Sequence, residues 1–231
     1  MSMLLVPGFM LDADLWRDVL PAISEFGPFV HADLSKDGSI EAMARRTLAD
    51  APERFILVGF SMGGYVAREI VRQAPERVSA LVLIATSARG DTEVQRQRKA
   101  SVATQKTNLA FKGLSAPAVA SSLHPDNAGR SDLIERIQAM GQRLGAEVFR
   151  QQSLLDRVDE QETLVNIHCP CLVVAGENDR LRSRAETEEL YHGISGSSFK
   201  VIDQTGHMIP LEAPDALAET IRQFLASVPA G

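Results

Sequence analysis

The sequence predicts an α/β protein: a mostly parallel sheet of about six strands, helices on both faces, and an inserted helical segment. Short apolar runs, partly β-branched, are the pattern of strands buried on both faces of a parallel sheet. They lie near residues 3–6, 28–33, 54–59, 79–85, 170–176 and 198–203. Segments with helical spacing separate the runs, as such a sheet requires. Between about residues 88 and 163 the strand signal vanishes.

The composition is that of an ordinary globular domain. The 231 residues are 45% hydrophobic and 23% charged, which fits one large domain or one domain with an insertion. The net charge of −6 favours solubility and argues against nucleic acid as the main partner. The longest apolar run, residues 80–85, is too short to cross a bilayer, so we expect no membrane partner.

The cysteines and the N-terminus together predict a cytoplasmic protein. Cys169 and Cys171 stand two residues apart where a strand begins, so they lie about 6.5 to 7 Å apart, a poor geometry for a disulfide. The N-terminus lacks the basic region of a secretory signal. We therefore expect both thiols to be reduced.

The first and last helices are marked by apolar residues at helical spacing. After the first strand, Asp12 and Asp14 suit the first turn of a helix, because carboxylates are favourable at its positive end. Its buried stripe would comprise Trp16, Val19, Leu20 and Ile23. The last helix would begin at Pro214 and Asp215. Its apolar face would comprise Leu217, Ile221, Phe224 and Leu225.

The strand at 54–59 runs into a Gly-x-Ser-x-Gly motif and then directly into a helical pattern. This order places Ser61 on a sharp corner, where its hydroxyl projects from the sheet edge as an attacking group. Side chains at Gly59 and Gly63 would collide as the chain reverses, and glycine tolerates strained dihedral angles. Gly64 would let the helix lie close to the sheet.

Residues 88–163 have the pattern of an amphipathic helical segment. The apolar positions are Leu133, Ile137, Met140, Leu144 and Val148. We expect Gly141 and Gly145 to divide this helix into two pieces. Arginines recur at every seventh position, so most of them should lie on one solvated face; they are Arg136, Arg143, Arg150 and Arg157.

The first part of this segment is basic, which would attract an acidic substrate or an acidic carrier protein, unless it is simply a solvated helix face. The basic residues are Arg89, Arg96, Arg98, Lys99, Lys106 and Lys112, against Asp91 and Glu93. Acidic residues later in the segment nearly cancel this charge.

The two late strands are each followed by a residue suited to acid–base chemistry. The strand at 170–176 leads into Glu177-Asn178-Asp179, and the strand at 198–203 leads into a loop that contains Gly206-His207. A serine, then an acid after a late strand, then a histidine after the last strand is the order of the alpha/beta-hydrolases, which this chain resembles.

Two further segments carry the resemblance, Ala74-Pro75-Glu76-Arg77-Val78 and the tail from Gly206-His207 to Leu211-Glu212-Ala213-Pro214. The resemblance runs from about residue 3 to residue 226 and is weakest where the family is most variable. It implies a capped serine hydrolase of the esterase type, with residues 1–87 and 164–231 as the core and residues 88–163 as an inserted helical cap.

The resemblance also implies which side chains react. Ser61 would be the nucleophile, His207 its general base and then acid, and Asp179 the carboxylate that orients the imidazole. Serine needs such a base because its hydroxyl is a poor nucleophile at neutral pH. Glu177, early in its loop, and Asp203, at the end of the last strand, are the alternatives for the acid.

Negative charge on the attacked carbonyl oxygen must be met by backbone N–H groups. Met62, the residue after the nucleophile, would supply one. In the family the second donor comes from a His-Gly-aromatic loop, which here reads Pro7-Gly8-Phe9, so Phe9 would supply it. Pro7 replaces the usual histidine, so the sequence does not show which hydrogen bonds support this loop.

These features predict a hydrolase that cleaves a carboxylic ester of a small or medium-sized substrate through an acyl-enzyme intermediate. The same side chains serve thioesterases, lactonases, amidases, carbon–carbon bond hydrolases and cofactor-free perhydrolases, which the sequence does not separate. A ligand-binding protein on the same scaffold is an alternative of another class. Substrate choice would reside in the cap, around Phe111, Leu123 and Met140.

We expect no cofactor and no metal. No histidine–carboxylate cluster has metal-ligand spacing, and no glycine-rich phosphate or dinucleotide loop is present. The expected partner is a small-molecule substrate, and the expected oligomeric state is a monomer.

Overall fold

A computed structural model describes residues 2–104 and 111–228. Its strands are β1 (Ser2–Val6), β2 (Phe29–His31), β3 (Phe55–Phe60), β4 (Val78–Ile84), β5 (Cys171–Gly176) and β6 (Ser198–Ile202). They form one sheet in the order β2-β1-β3-β4-β5-β6, and every neighbouring pair is parallel. The predicted fold class is confirmed, and each strand lies where an apolar run predicted it.

The helices are α1 (Ile40–Asp50), α2 (Met62–Gln73), α3 (Glu93–Thr104), α4 (Ala116–Ala120), α5 (Ser131–Ser153), α6 (Arg184–Gly193), α7 (Ile209–Glu212) and α8 (Pro214–Ser227). Short 3-10 turns lie at Ala13–Trp16, Leu20–Phe26, Pro75–Arg77, Pro125–Asn127 and Gln161–Asn166. In these described ranges no helix combines the length and apolar content needed to span a membrane.

Both faces of the sheet are buried, which explains why the strands read as continuous apolar runs. In β1, Met3 and Leu5 join one apolar cluster, which includes residues of α8. Leu4 and Val6 point to the opposite face and join a second cluster, which includes residues of α2. Alternate side chains of a strand point to opposite faces, so each strand supplies both layers of the core.

The region predicted as one helix between β1 and β2 is two 3-10 turns, so that prediction is wrong. Pro21 lies at the start of the second turn and has no N–H to continue an α-helical ladder. Ile23 then has a non-helical backbone, with φ −122° and ψ 24°. The apolar stripe is nevertheless buried, since Trp16, Val19 and Ile23 are each 1% exposed.

Residues 88–163, here called the insert, lie between β4 and β5. Their regular structure in the described part of the chain is helical. Helix α5 is interrupted at Gly145, which has φ 83° and ψ 178°, a conformation open to glycine. The predicted break at Gly141 is wrong, because that residue is helical and buried within α5.

The predicted solvated arginine face of α5 is exposed at Arg143 but not at Arg136. Arg136 is only 10% exposed and forms ion pairs with Asp18 and, at 3.6 Å, with Asp14. Arg143 binds Asp12 through two hydrogen bonds, Nε to Oδ2 at 2.7 Å and an Nη to Oδ1 at 3.0 Å. These pairs attach α5 to the segment that follows β1.

The two ends of the insert meet at Asp91, whose carboxylate is 1% exposed. Its backbone N–H donates to the Arg157 carbonyl at 2.9 Å. Its carboxylate accepts hydrogen bonds from Lys99 and Arg157. Burial alone would raise the pKa of Asp91, but the hydrogen bond from Lys99 and the charge and hydrogen bonds of Arg157 outweigh burial and hold that pKa below its usual range.

Candidate active site

Ser61 occupies the corner between β3 and α2, with φ 51° and ψ −113°. Positive φ at a residue with a side chain costs on the order of 1–3 kcal/mol and persists only where neighbours enforce it. Here the Ser61 N–H donates to the Ile84 carbonyl at 2.9 Å. The hydroxyl of buried Thr86 donates to the Ser61 carbonyl at 2.7 Å. Sequence reasoning missed Thr86.

Crowding, rather than unusual dihedral angles, explains the glycines around the serine. A Cβ at Gly63 would lie 2.3 Å from the Val6 carbonyl oxygen, closer than real Cβ contacts allow. A Cβ at Gly64 would lie 2.4 Å from the Thr86 hydroxyl oxygen, so this glycine lets α2 approach the loop after β4. The strained dihedrals belong to Ser61 itself.

The structure brings Ser61, His207 and Asp179 into one hydrogen-bonded chain. The Ser61 Oγ lies 2.9 Å from His207 Nε2, and His207 Nδ1 lies 2.7 Å from Asp179 Oδ2. All three are buried, since Ser61 is 9% exposed, His207 5% and the Asp179 side chain 2%. Such a chain can move the hydroxyl proton to the imidazole and stabilise the resulting imidazolium.

Asp179 is oriented by the backbone that follows it. Its Oδ1 accepts hydrogen bonds from the N–H groups of Leu181 at 2.8 Å and Arg182 at 2.9 Å. These two bonds direct the other carboxylate oxygen, Oδ2, towards His207.

The alternative acids lie elsewhere. The Glu177 carboxylate accepts a hydrogen bond from the Gln204 N–H at 2.9 Å, and both groups are exposed. Asp203 is exposed in the turn after β6. In the described part of the chain, Asp179 is the carboxylate that contacts the imidazole.

The loop that carries His207 is held by Glu212, which the sequence indicated only as part of a family-like tail. Glu212 Oε1 accepts hydrogen bonds from the N–H groups on both sides of the histidine, Gly206 at 2.9 Å and Met208 at 3.2 Å. The His207 N–H itself donates to the Ser122 carbonyl, in the insert, at 2.7 Å. The imidazole is therefore positioned by both the core and the insert.

Phe9 and Met62, the two predicted backbone donors, follow β1 and begin α2, respectively. Neither N–H donates a hydrogen bond to any residue that the structure describes. The first N–H groups of a helix lack partners within the helix and carry partial positive charge, so Met62 can meet an anionic oxygen.

Support for the Phe9 loop comes from the insert. Met10, which has φ 55°, donates its N–H to Gln152 Oε1 at 2.8 Å. The Gln152 amide also donates to the Leu34 carbonyl at 3.2 Å, and the side chain is buried. Gln152 therefore links the loop after β1 to the loop after β2. No motif in the sequence predicts this role.

Two cavities, one of about 280 Å³ and one of about 450 Å³, meet at Ser61. His207 lines the smaller and Met62 the larger, while Phe9 lines both. Both the core and the insert supply lining residues. Those from the insert in the smaller cavity are Gln95, Leu114, Ala118, Val119, Ser122 and Ile137.

The residues predicted to surround the substrate are not among those that line these two cavities. Leu123 and Met140 lie in the apolar core, with 1% and 0% exposure. Phe111 packs on Phe149, whose ring centroid is 5.2 Å away. Periodicity identifies the buried face of a helix, but it does not separate core positions from positions that border a cavity.

Neither a metal-binding cluster nor a cavity-lining cysteine occurs in the part of the chain that the structure describes. Across residues 2–104 and 111–228, no group of three or more His, Cys, Asp or Glu side chains is arranged to hold a metal ion. Cys169 and Cys171 are free, and burial raises the pKa of Cys169 to about 11, which keeps this thiol protonated and unreactive.

Known proteins resemble the chain over nearly its full length. Residues 3–220 match the Alpha/beta hydrolase family. A pimeloyl-[acyl-carrier protein] methyl ester esterase of Pectobacterium carotovorum is 26% identical, over 96% of this chain and 93% of that protein. An enzyme of the same name from Klebsiella pneumoniae is 28% identical, over 95% and 91%.

The solved structures agree with this fold. A thermophilic esterase from Thermogutta terrifontis superposes with a TM-score of 0.87 and 26% identity, over 100% of this chain and 91% of that one. The enol-lactonase of Burkholderia xenovorans, with a TM-score of 0.83 and 22% identity over 98% and 90%, shares the fold.

The predicted resemblance is thus confirmed along the chain, and the relatives and neighbours named as esterases support a carboxylesterase-like enzyme. The chain belongs to the alpha/beta hydrolase family.

Proposed function

We propose that this protein is a serine carboxylesterase in which Ser61, His207 and Asp179 form the catalytic triad. The observation that carries the proposal is the buried hydrogen-bonded chain, with contacts of 2.9 and 2.7 Å, beside two backbone N–H groups without described partners. A nucleophile, its base, the carboxylate that orients the base, and an oxyanion site are the parts that acyl transfer needs.

In the proposed reaction, His207 Nε2 takes the hydroxyl proton as Ser61 Oγ attacks the ester carbonyl. The N–H groups of Phe9 and Met62 bind the oxyanion of the tetrahedral intermediate. His207 then gives its proton to the leaving alcohol oxygen, and the acyl group remains on Ser61. A water molecule, deprotonated by His207, attacks this ester; the acyl–Oγ bond breaks, His207 returns the proton to Ser61 Oγ, and the acid leaves.

We also propose that the insert acts as a cap that selects the substrate. Its residues line both cavities beside Ser61, and its Gln152 and Ser122 contact the loops of the proposed oxyanion site and base. Substrate choice would then depend on lining residues such as Val119 and Ile137.

For the substrate we propose a free small-molecule ester. The curated relatives are named for an ester attached to acyl-carrier protein, but the basic stretch of this chain is largely neutralised where its side chains are described. The pairs are Arg89 with Glu189, Arg96 with Glu93, and Lys99 with Asp91. The side chains of Arg98 and Lys106 lie outside the described residues. Cations that are already paired attract an acidic carrier protein only weakly.

Substitution of the nucleophile tests the esterase proposal. Ser61→Ala is expected to lower kcat on p-nitrophenyl acetate by about 10³-fold or more, because the covalent route is lost. A fluorophosphonate probe should label the wild-type protein at Ser61. Full activity in Ser61→Ala, or an unlabelled Ser61, would contradict the proposal. Tight ligand binding with negligible turnover in the wild type would instead favour the ligand-binding alternative.

A further inference from the structure

Arg182 is a largely buried cation beside the proposed catalytic site. Its side chain is 13% exposed, and it lines both cavities that meet at Ser61. Its backbone N–H holds Asp179, so the position of this residue is fixed relative to the triad.

The guanidinium of Arg182 forms an ion pair but no hydrogen bond in the described chain. Its Nε is buried and has no hydrogen-bond acceptor. The nearest paired acid is Glu186, at 3.6 Å, beyond hydrogen-bond contact. The other oxygen of Glu186 already accepts hydrogen bonds from the backbone and hydroxyl of Ser183. A buried donor without an acceptor is unfavourable unless a ligand supplies one.

The charged side chains in the described lining of the larger cavity are all basic. Arg182, Lys99 and Arg157 line it, and no Asp or Glu is among its described lining residues. Lys99 and Arg157 share a single carboxylate, that of Asp91. Asp91 therefore offsets much of the charge of Lys99 and Arg157, and Arg182, whose nearest carboxylate is 3.6 Å away, is the cation best placed to attract an anionic group into this cavity.

We infer that the enzyme acts on esters whose acyl part carries a second carboxylate, and that Arg182 binds this carboxylate. The inference rests on the proposed esterase function. A guanidinium presents N–H donors that match the two oxygens of a carboxylate, and the Nη groups of Arg182 would supply them, because its Nε is buried.

The proposed chemistry places the carboxylate on the acyl side of the ester. His207 protonates the leaving alcohol and lines the smaller cavity, so the alcohol part belongs there. Met62, which would bind the oxyanion of the acyl carbonyl, lines the larger, cationic cavity. The acyl chain would thus extend from Ser61 towards Arg182.

Matched esters test the inference. The substrates are the monomethyl esters of succinic, glutaric and adipic acids, each compared with its dimethyl ester, which has the same chain without the charge. We expect the wild type to prefer the best monomethyl ester in kcat/KM by about 10- to 100-fold, the range of a charge-assisted hydrogen bond. The preferred chain length would indicate the distance that the acyl chain spans between Ser61 and Arg182.

Three variants test whether Arg182 is the source of the preference for monomethyl esters. Arg182→Gln should bring the ratio of monomethyl to dimethyl kcat/KM close to one, and Arg182→Lys should retain part of it, because the charge remains. Arg184→Gln is the matched control, since Arg184 is 63% exposed and paired with Glu188. That variant should keep the wild-type ratio. With the wild type alone, glutarate should inhibit p-nitrophenyl acetate hydrolysis competitively and neutral glutaramide should not.

The outcomes separate the two proposals. Equal rates on monomethyl and dimethyl esters, a preference that survives in Arg182→Gln, or inhibition by glutaramide equal to that by glutarate would overturn the inference while leaving the esterase in place. Absence of hydrolysis of every ester, p-nitrophenyl acetate included, would overturn the esterase proposal and the inference with it.

Discussion

At the scale of single residues, Glu212 holds the backbone on both sides of His207. One carboxylate oxygen accepts the N–H groups of both neighbours of the histidine. The other accepts the His124 N–H at 2.7 Å and the Asn127 amide at 2.9 Å. Glu212 thus joins the proposed catalytic loop to the insert through main-chain groups.

Glu212→Ala should therefore weaken both stability and turnover. Four N–H groups lose a charged acceptor at once and their contributions are not additive, so unfolding in urea should show a loss of about 3–5 kcal/mol. Because the imidazole loses its position rather than a substrate contact, kcat should fall more than KM changes. Glu219→Ala, at an exposed position on α8, is the control. An unchanged kcat in Glu212→Ala would show that the loop holds its position without this carboxylate.

The serine, the histidine and Asp179 could be predicted from the sequence because each directly follows a recognisable strand, and strand order fixes where the loops meet. Thr86, Glu212 and Gln152 could not. Their partners are backbone groups that only the folded chain brings close, and their residue types are common in ordinary loops and helices.

At the scale of elements, α5 supports the proposed oxyanion loop. The loop reads Pro7-Gly8-Phe9, and the hydrogen bond that fixes the next residue, Met10, comes from Gln152 near the end of this helix. A helix of the insert and the loop after β1 are therefore one structural unit around the proposed N–H donor of Phe9.

Gln152→Met removes this support with little change in side-chain shape. We expect kcat on p-nitrophenyl acetate to fall by about 10- to 100-fold with a smaller effect on KM, since a misplaced oxyanion donor weakens transition-state binding. Gln152→Glu keeps an oxygen for the Met10 N–H and should recover part of the activity. Gln151→Met, one position away and absent from both cavity walls, is the control. Equal kcat values for Gln152→Met and the control would refute this role.

Apolar patterning predicted the strands well because both faces of the sheet are covered, so the runs have no polar interruption. The same patterning failed where a single proline or glycine determines the backbone conformation. Pro21 interrupts the helix that the stripe at residues 16–23 implied. Gly141 and Gly145 look alike in sequence, yet only the second adopts a positive φ.

At the scale of the whole molecule, backbone strain is concentrated at the carboxyl edge of the sheet. The described non-glycine residues with positive φ all follow the carboxyl ends of strands. They are Met10, Ser61, Ala85 and Gln204. Neighbouring hydrogen bonds hold these conformations, so the edge of the sheet that carries the proposed site is maintained by the rest of the fold.

Asp91 provides a pH-dependent part of the stability. Its pKa is lowered in the folded protein, so its contribution is complete well above the unfolded carboxyl value of about 3.9 and is lost as pH falls through the lower folded value. Asp91→Asn should reduce the free energy of unfolding by about 2–4 kcal/mol at pH 7, because Lys99 and Arg157 lose their shared partner.

The difference between wild type and Asp91→Asn, measured by urea unfolding, should shrink as pH falls from 5 towards 3. Asp126→Asn, whose wild-type side chain is 86% exposed, should show little difference at any pH. A gap that stays constant with pH would mean that the charge of Asp91 is not its source.

The bond from the His207 N–H to the Ser122 carbonyl, together with the Gln152 amide, has a consequence for protein engineering. Grafting a foreign insert onto this core to change its substrate range would also exchange the groups that hold two loops of the proposed reaction centre. A chimera would keep its turnover only where the donor segment brings an equivalent carbonyl and an equivalent amide to the same two places.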